Sequence, residues 1–165
     1  MIWSIVIIEA IVFIALFTAM VMLPAIKHPE ALIHDYPPEI QEEYFKTHKR
    51  IETAPLSKRT IALKSIGIII FSAILTAGAV LAGAETFWDG VVFGIILFVS
   101  VGAWDTFFLD WVLFAHLKMF RLPGTEHMDK EYAQKWFHVK GMLFPGTLFA
   151  ALIGVVTGIG VMIVK

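Results

Sequence analysis

The stretch GMLFPGTLFAALIGVVTGIGVMIV, Gly141 to Val164, runs 24 residues without a charge. A helix crosses a hydrocarbon core in about 20 apolar residues at about 1.5 Å each. This segment therefore spans a membrane, and three others read the same way. Ile2 to Leu23 is broken only by Glu9. Ile61 to about Ala84 carries Lys64 at its entrance. Phe87 to Leu117 is interrupted by Asp105 and Asp110. None shows the period-two alternation of a membrane strand. The expected fold class is all-α, an integral membrane four-helix bundle forming one membrane domain over residues 1–165. Pro24, Pro55 and Pro123 fall outside the four spans, where helix breaks belong. Pro145 lies one turn inside the last span and is expected to kink it.

Composition agrees. Of 165 residues, 58% are hydrophobic and only 16% charged, with a mean hydropathy of +0.79. Soluble domains carry about 25% charged residues, and one of this size could not hide so much apolar surface. Disorder is excluded on the same ground. With no cysteine, disulfides, thiolate nucleophiles, Cys-ligated zinc and iron–sulfur clusters are removed together. A net charge of -1 argues against a nucleic-acid partner.

Twelve of the 13 Lys and Arg residues lie in two links. Lys27, Lys46, Lys49, Arg50, Lys58 and Arg59, with the border residue Lys64, belong to the link between spans 1 and 2. Lys118, Arg121, Lys130, Lys135 and Lys140 fall between spans 3 and 4. The link Gly83-Ala84-Glu85-Thr86 has none. Positive loops stay inside, so segments 24–60 and 118–140 are expected in the cytoplasm of a cell-membrane protein with both termini outside. No basic residue precedes the first apolar run, so no cleavable signal is expected and Met1 should be retained.

Both long links carry helical patterns. Tandem Pro37-Pro38 after Asp35 marks a helix start. Ile40, Tyr44, His48 and Ile51 then recur on one face, as an amphipathic helix lying on the membrane or on the bundle would have them. After the Pro123-Gly124 turn, Thr125 is a candidate N-cap. Met128, Tyr132, Trp136 and Val139 form a stripe predicting a second amphipathic helix nearly continuous with span 4.

Small residues recur every fourth position in span 4, at Gly146, Ala150, Gly154 and Gly158, with shorter versions at Gly90 and Gly94 and at Ala73 and Ala77. Such faces let backbones approach closely. Packing within one monomer is one use of this helix-packing face, and a homodimer seam is the other.

Ionisable residues inside spans cost about 2.5–3.5 kcal/mol at the bilayer centre and mark function by default. Glu9 lies roughly 10 Å from the span entrance. It is a candidate proton carrier, with Lys165, Ser72, Thr76 and Thr157 as the partners the topology offers. Asp105 and Asp110, five apart, would be separated by about 140° on an α-helix. They sit among aromatics, and Trp104 and Trp111 share a face. With His116, Arg121, Glu126 and His127 they form a candidate polar pocket at the cytoplasmic end of span 3. No histidine lies deep enough for axial haem ligation, and no Glu-x-x-His pair suggests a di-iron site. A surface metal cluster of Glu126, His127 and Asp129 with His116 or His138 lacks helical ligand spacing, so no metal and no cofactor are expected. No phosphate loop, G-x-S-x-G or H-E-x-x-H motif is present.

The stretches Asp105-Thr106-Phe107-Phe108-Leu109-Asp110-Trp111-Val112-Leu113-Phe114-Ala115-His116, Leu122-Pro123-Gly124-Thr125-Glu126-His127-Met128 and Tyr36-Pro37-Pro38-Glu39-Ile40-Gln41 resemble a family of small, uncharacterised four-span membrane proteins of bacteria and archaea. The resemblance covers nearly the whole chain. It implies that the end of span 3 and the following turn form one functional surface. Some members carry the label nitroreductase. This chain shows neither the α+β pattern nor the flavin site of soluble nitroreductases.

Three function classes follow. The first is an accessory or ligand-binding membrane protein, in contact with membrane lipid, using the polar pocket at the end of span 3. The second is a proton-coupled small transporter using Glu9. The third is a membrane enzyme acting on a lipid or quinone-like substrate, with Asp105, Asp110, His116, Glu126 and His127 as acid–base groups and Lys118 and Arg121 holding an anionic head group.

Overall fold

A computed structural model describes residues 1–50 and 57–165. Ile51 of the first helical stripe, and Pro55, lie outside the described residues. The described chain is helical, with no strand among those residues. Helix α1 spans Trp3–Lys27, α2 Pro38–Phe45, α3 Lys58–Leu81, α4 Phe87–Trp104, α5 Asp129–Tyr132, α6 Lys135–Leu143 and α7 Gly146–Val164. A 3₁₀ segment covers Pro29–Asp35, a π-helix covers Asp105–Phe114, and a 3₁₀ turn covers Lys118–Phe120. Four stretches are long and apolar enough to cross a membrane: Trp3–Lys27, Lys58–Leu81, Phe87–Phe114 and Asp129–Val164. Their outward faces expose Ile8, Leu16, Ile69 and Ile163, the pattern of a multi-pass membrane protein whose solvent is lipid.

The chain packs as two compact units. The first comprises Met1–Phe13, the described part of Glu52–Ser100, and Gly146–Lys165. Its core gathers Val6, Leu75, Ala79, Phe93, Leu97 and Val161. Here α4 and α7 meet backbone to backbone. A Cβ on Gly90 would stand 2.8 Å from Gly158 Cα, and one on Gly94 would stand 3.0 Å from Gly154 Cα. Gly154 and Gly158 of the small-residue stripe thus face α4 of the same chain. Gly160, outside the stripe, receives the Thr76 side chain of α3. The chain end is tied down by the Ile2 N–H, which donates to the Ala82 carbonyl at 2.6 Å. Gly83 turns the link at φ +79, a conformation that glycine adopts without a Cβ clash.

The start of α4 carries a capping box that the sequence reading passed over. Asp89 accepts hydrogen bonds from the Glu85 and Thr86 N–H groups and from the Thr86 hydroxyl, and Thr86 Oγ1 accepts from the Asp89 N–H. Three backbone N–H groups and one hydroxyl are thereby engaged around the helix start.

The second unit comprises the described part of Ile14–Ile51 together with Val101–Pro145. Its core is an aromatic cluster of Ile33, Tyr36, Ile40, Leu122 and Tyr132, with Tyr44, Phe45 and Met128 packed against it. Tyr36 donates its hydroxyl hydrogen to the Phe120 carbonyl at 2.8 Å, and burial holds its phenol well above the usual range. The Tyr132 hydroxyl accepts from the Leu122 N–H at 2.9 Å and lies 2.7 Å from the Thr125 hydroxyl.

Several local expectations are corrected. Helix α1 does not stop before Pro24 but runs through it to Lys27. A proline removes one intrahelical donor, and the turn that follows closes with the His28 N–H on the Pro24 carbonyl. Helix α2 is shorter than its stripe. The Tyr44 carbonyl is taken by the Thr47 and His48 N–H groups, and His48 stacks on the Tyr44 ring at the surface. The second helical pattern is not one helix running into the last apolar stretch. It breaks at Ala133–Gln134, which separates α5 from α6, and again at Phe144, which is extended (φ -149, ψ 121). A residue before proline is pushed out of the helical region, and proline offers no N–H to continue the ladder. Pro145 therefore ends a helix rather than kinking one. The first break rotates the stripe, so Tyr132 and Val139 are buried while Trp136 is 74% exposed. Thr125 is not an N-cap, a position Met128 takes. It is buried, and its hydroxyl donates to the Leu122 carbonyl.

Candidate functional site

The π-helix sets the site. In an α-helix Asp105 and Asp110 would diverge by about 140°. Here the backbone closes i to i+5, with the Ala115 N–H donating to the Asp110 carbonyl. Residues five apart then occupy the relation that residues four apart hold in an α-helix. The divergence expected of these two acids is corrected by this winding, and Asp105 and Asp110 lie within electrostatic range of one another.

Two residues that the sequence reading did not associate with them complete the cluster. His138, on α6, places Nδ1 2.8 Å from an Asp110 oxygen, and both side chains are mostly buried, at 14% and 15% exposure. Asp35, at the end of the first 3₁₀ segment, interacts with Asp105, Asp110 and His138. Asp35 is exposed and Asp105 half-buried, so the cluster grades from solvent inward. Desolvation pushes the Asp35 carboxyl above its usual range and the Asp110 charge adds to this, while His34 and His138 partly offset it. One carboxylate, Asp110, is paired with the imidazole, and Asp35 and Asp105 lie within electrostatic range of that pair. Like charges gathered around partly buried groups favour a bound proton or cation.

Aromatic side chains brace the segment. Trp104 stacks on Phe108, and Trp111 meets Phe107 edge-on. The two indoles reach different neighbours: Trp104 Nε1 donates to the Thr18 hydroxyl of α1 at 3.0 Å, and Trp111 Nε1 to the Lys135 carbonyl of α6 at 3.2 Å.

The other candidates fall elsewhere. His116, Glu126 and His127 are exposed. Glu126 accepts from the Gly124 N–H. Arg121 is buried against the Tyr132 ring, with its guanidinium carbon 3.8 Å from the ring centroid. Its Nη2 donates to the Ala115 carbonyl and to Asp129, while Nε and Nη1 have no hydrogen-bond partner. Among the described residues no three His, Asp or Glu side chains converge as metal ligands.

In the first unit, Glu9 sets its carboxylate against Gly78, where a Cβ would stand 3.4 Å from both oxygens and 3.1 Å from the Phe93 ring. Gly78 makes room for the acid, a role the sequence reading did not assign to it. The expected hydroxyl partners are engaged otherwise: Ser72 donates to Ile68 and Thr157 to Ile153. Glu9 Oε2 is buried and without a hydrogen-bond partner.

The chain matches no family model, no curated protein and no solved structure. The family resemblance therefore stands on the quoted motifs alone.

Proposed function

We propose that this chain is a cell-membrane protein, with both termini outside, that binds a cationic ligand at the cytoplasmic end of span 3. The orientation rests on the twelve basic residues gathered in the two long links. The observation that carries the binding reading is the cluster in which the Asp110–His138 pair shares its surroundings with Asp35 and Asp105. With three carboxyl groups around one imidazole, the site is acidic. A monovalent organic cation offsets part of that acidity without needing the convergent ligands of a metal ion. The test is saturable binding of tetraphenylphosphonium to the detergent-solubilised chain, followed by calorimetry. Asp105→Asn and Asp110→Asn should each weaken it about tenfold, the equivalent of one charge-assisted contact. Unchanged affinity in folded variants sinks the reading.

A second reading, proton-coupled transport through Glu9, is favoured by its unpartnered Oε2 beside Gly78. A carboxyl without a fixed hydrogen-bond partner can take and release a proton without breaking a pair. Glu9→Gln should abolish proton flux in liposomes, and flux equal to the wild type would exclude Glu9 as the carrier.

A further inference from the structure

Away from the acid cluster, the second unit carries a groove of about 630 Å³ where the start of α2 meets the α5–α6 junction. Glu39, Gln134, Lys135, Trp136, Phe137 and Lys140 line it. Its lining carries two lysines and one glutamate, so the balance of charge is positive. Lys135 is held in place: its Nζ sits 5.0 Å from the centre of the Trp111 ring, and its carbonyl accepts the Trp111 indole N–H. Just beyond Lys140, Leu143 at the end of α6 and Phe144 after it are exposed, and Trp136 at the start of α6 is exposed too.

The geometry points to this groove as a binding site for the phosphate headgroup of an anionic phospholipid. Its order of chemistry matches a lipid: cationic and amide groups in the groove, then exposed apolar side chains at the end of α6 and just after it. Interfacial Trp and basic residues are the side chains that meet headgroups. Charge complementarity selects an anionic headgroup over a zwitterionic one. A free phosphate would satisfy the lysines but would leave Trp136, Leu143 and Phe144 uncovered.

The experiment is native mass spectrometry of the full chain, released from detergent after titration with phosphatidylglycerol or phosphatidylcholine. Phosphatidylglycerol should be retained preferentially. Retention should fall more than about tenfold in the Lys135→Gln/Lys140→Gln variant, at about fivefold for each surface lysine. Glu39→Gln removes the carboxylate from the groove and should strengthen retention, which keeps the test open if the double lysine variant fails to fold. Equal retention of the two lipids, undiminished phosphatidylglycerol retention in a folded lysine variant, or no gain from Glu39→Gln would each overturn the assignment. So would displacement of the lipid by millimolar inorganic phosphate, which would mark a free-anion site.

Discussion

His138 on α6 and Asp110 in the π-helix are joined at 2.8 Å, although neither residue's local pattern points to the other. The pair ties the helix after the α5–α6 break to the end of the third apolar stretch. Because both side chains are mostly buried, removing one partner leaves the other poorly solvated. A double-mutant cycle with Asp110→Asn and His138→Gln should give a coupling energy of about 0.5–3 kcal/mol. Purely additive effects on thermal unfolding would show the pair to be energetically idle.

Asp35 gives a pH signature. Its folded carboxyl titrates above the ordinary Asp range, mainly through desolvation, so the folded state holds this proton more tightly than the unfolded one. The resulting penalty is absent below the ordinary Asp value and grows as pH rises through the raised one. Asp35→Asn should therefore raise the melting temperature at neutral pH and lose its advantage below about pH 4. The gain should be small, since Asp35 keeps contact with solvent. An advantage that persisted in acid would point to packing instead.

The glycines separate into crowded and open positions. A Cβ on Gly158 would stand 2.7 Å from the Phe87 carbonyl oxygen, whereas one on Gly67 meets nothing within 4 Å. Gly158→Ala should destabilise by about 1–3 kcal/mol through overpacking of backbone on backbone. Gly67→Ala should be neutral or stabilising by up to about 1 kcal/mol. Thermal unfolding in one detergent compares them directly, and equal effects would mean that α4 and α7 do not touch at this point.

Tyr132→Phe tests the aromatic cluster. Its hydroxyl accepts the buried Leu122 N–H and neighbours Thr125. Losing that acceptor should cost about 1–3 kcal/mol, the penalty for a buried donor left unpaired. Amide exchange at Leu122 should rise in parallel, and unchanged protection there would assign the N–H to another acceptor.

Much of the architecture was readable along the chain. Three of the four apolar stretches start within a few residues of expectation, because a start is marked by a change in composition, while the fourth starts at Asp129 and not at Gly141. Helix ends were less legible. Whether Pro24 or Pro145 stops a helix depends on what captures the freed carbonyls, and the two prolines behave in opposite ways here. The candidate site was half visible. Asp105 and Asp110 stand out as acids in an apolar run, but Asp35 reads as the residue before a helix and His138 as one interfacial histidine among several. The room that Gly78 makes for Glu9 has no local signal.

The membrane character was settled by the amino acids alone, because the free energy of moving a segment into hydrocarbon accumulates residue by residue, whatever that segment later touches. The meeting of acids and histidine was not. It depends on a π-helical winding in place of an α-helical one and on a helix break at Ala133–Gln134. Both are choices between backbone hydrogen-bond patterns of similar energy, tipped by which faces of distant segments pack together.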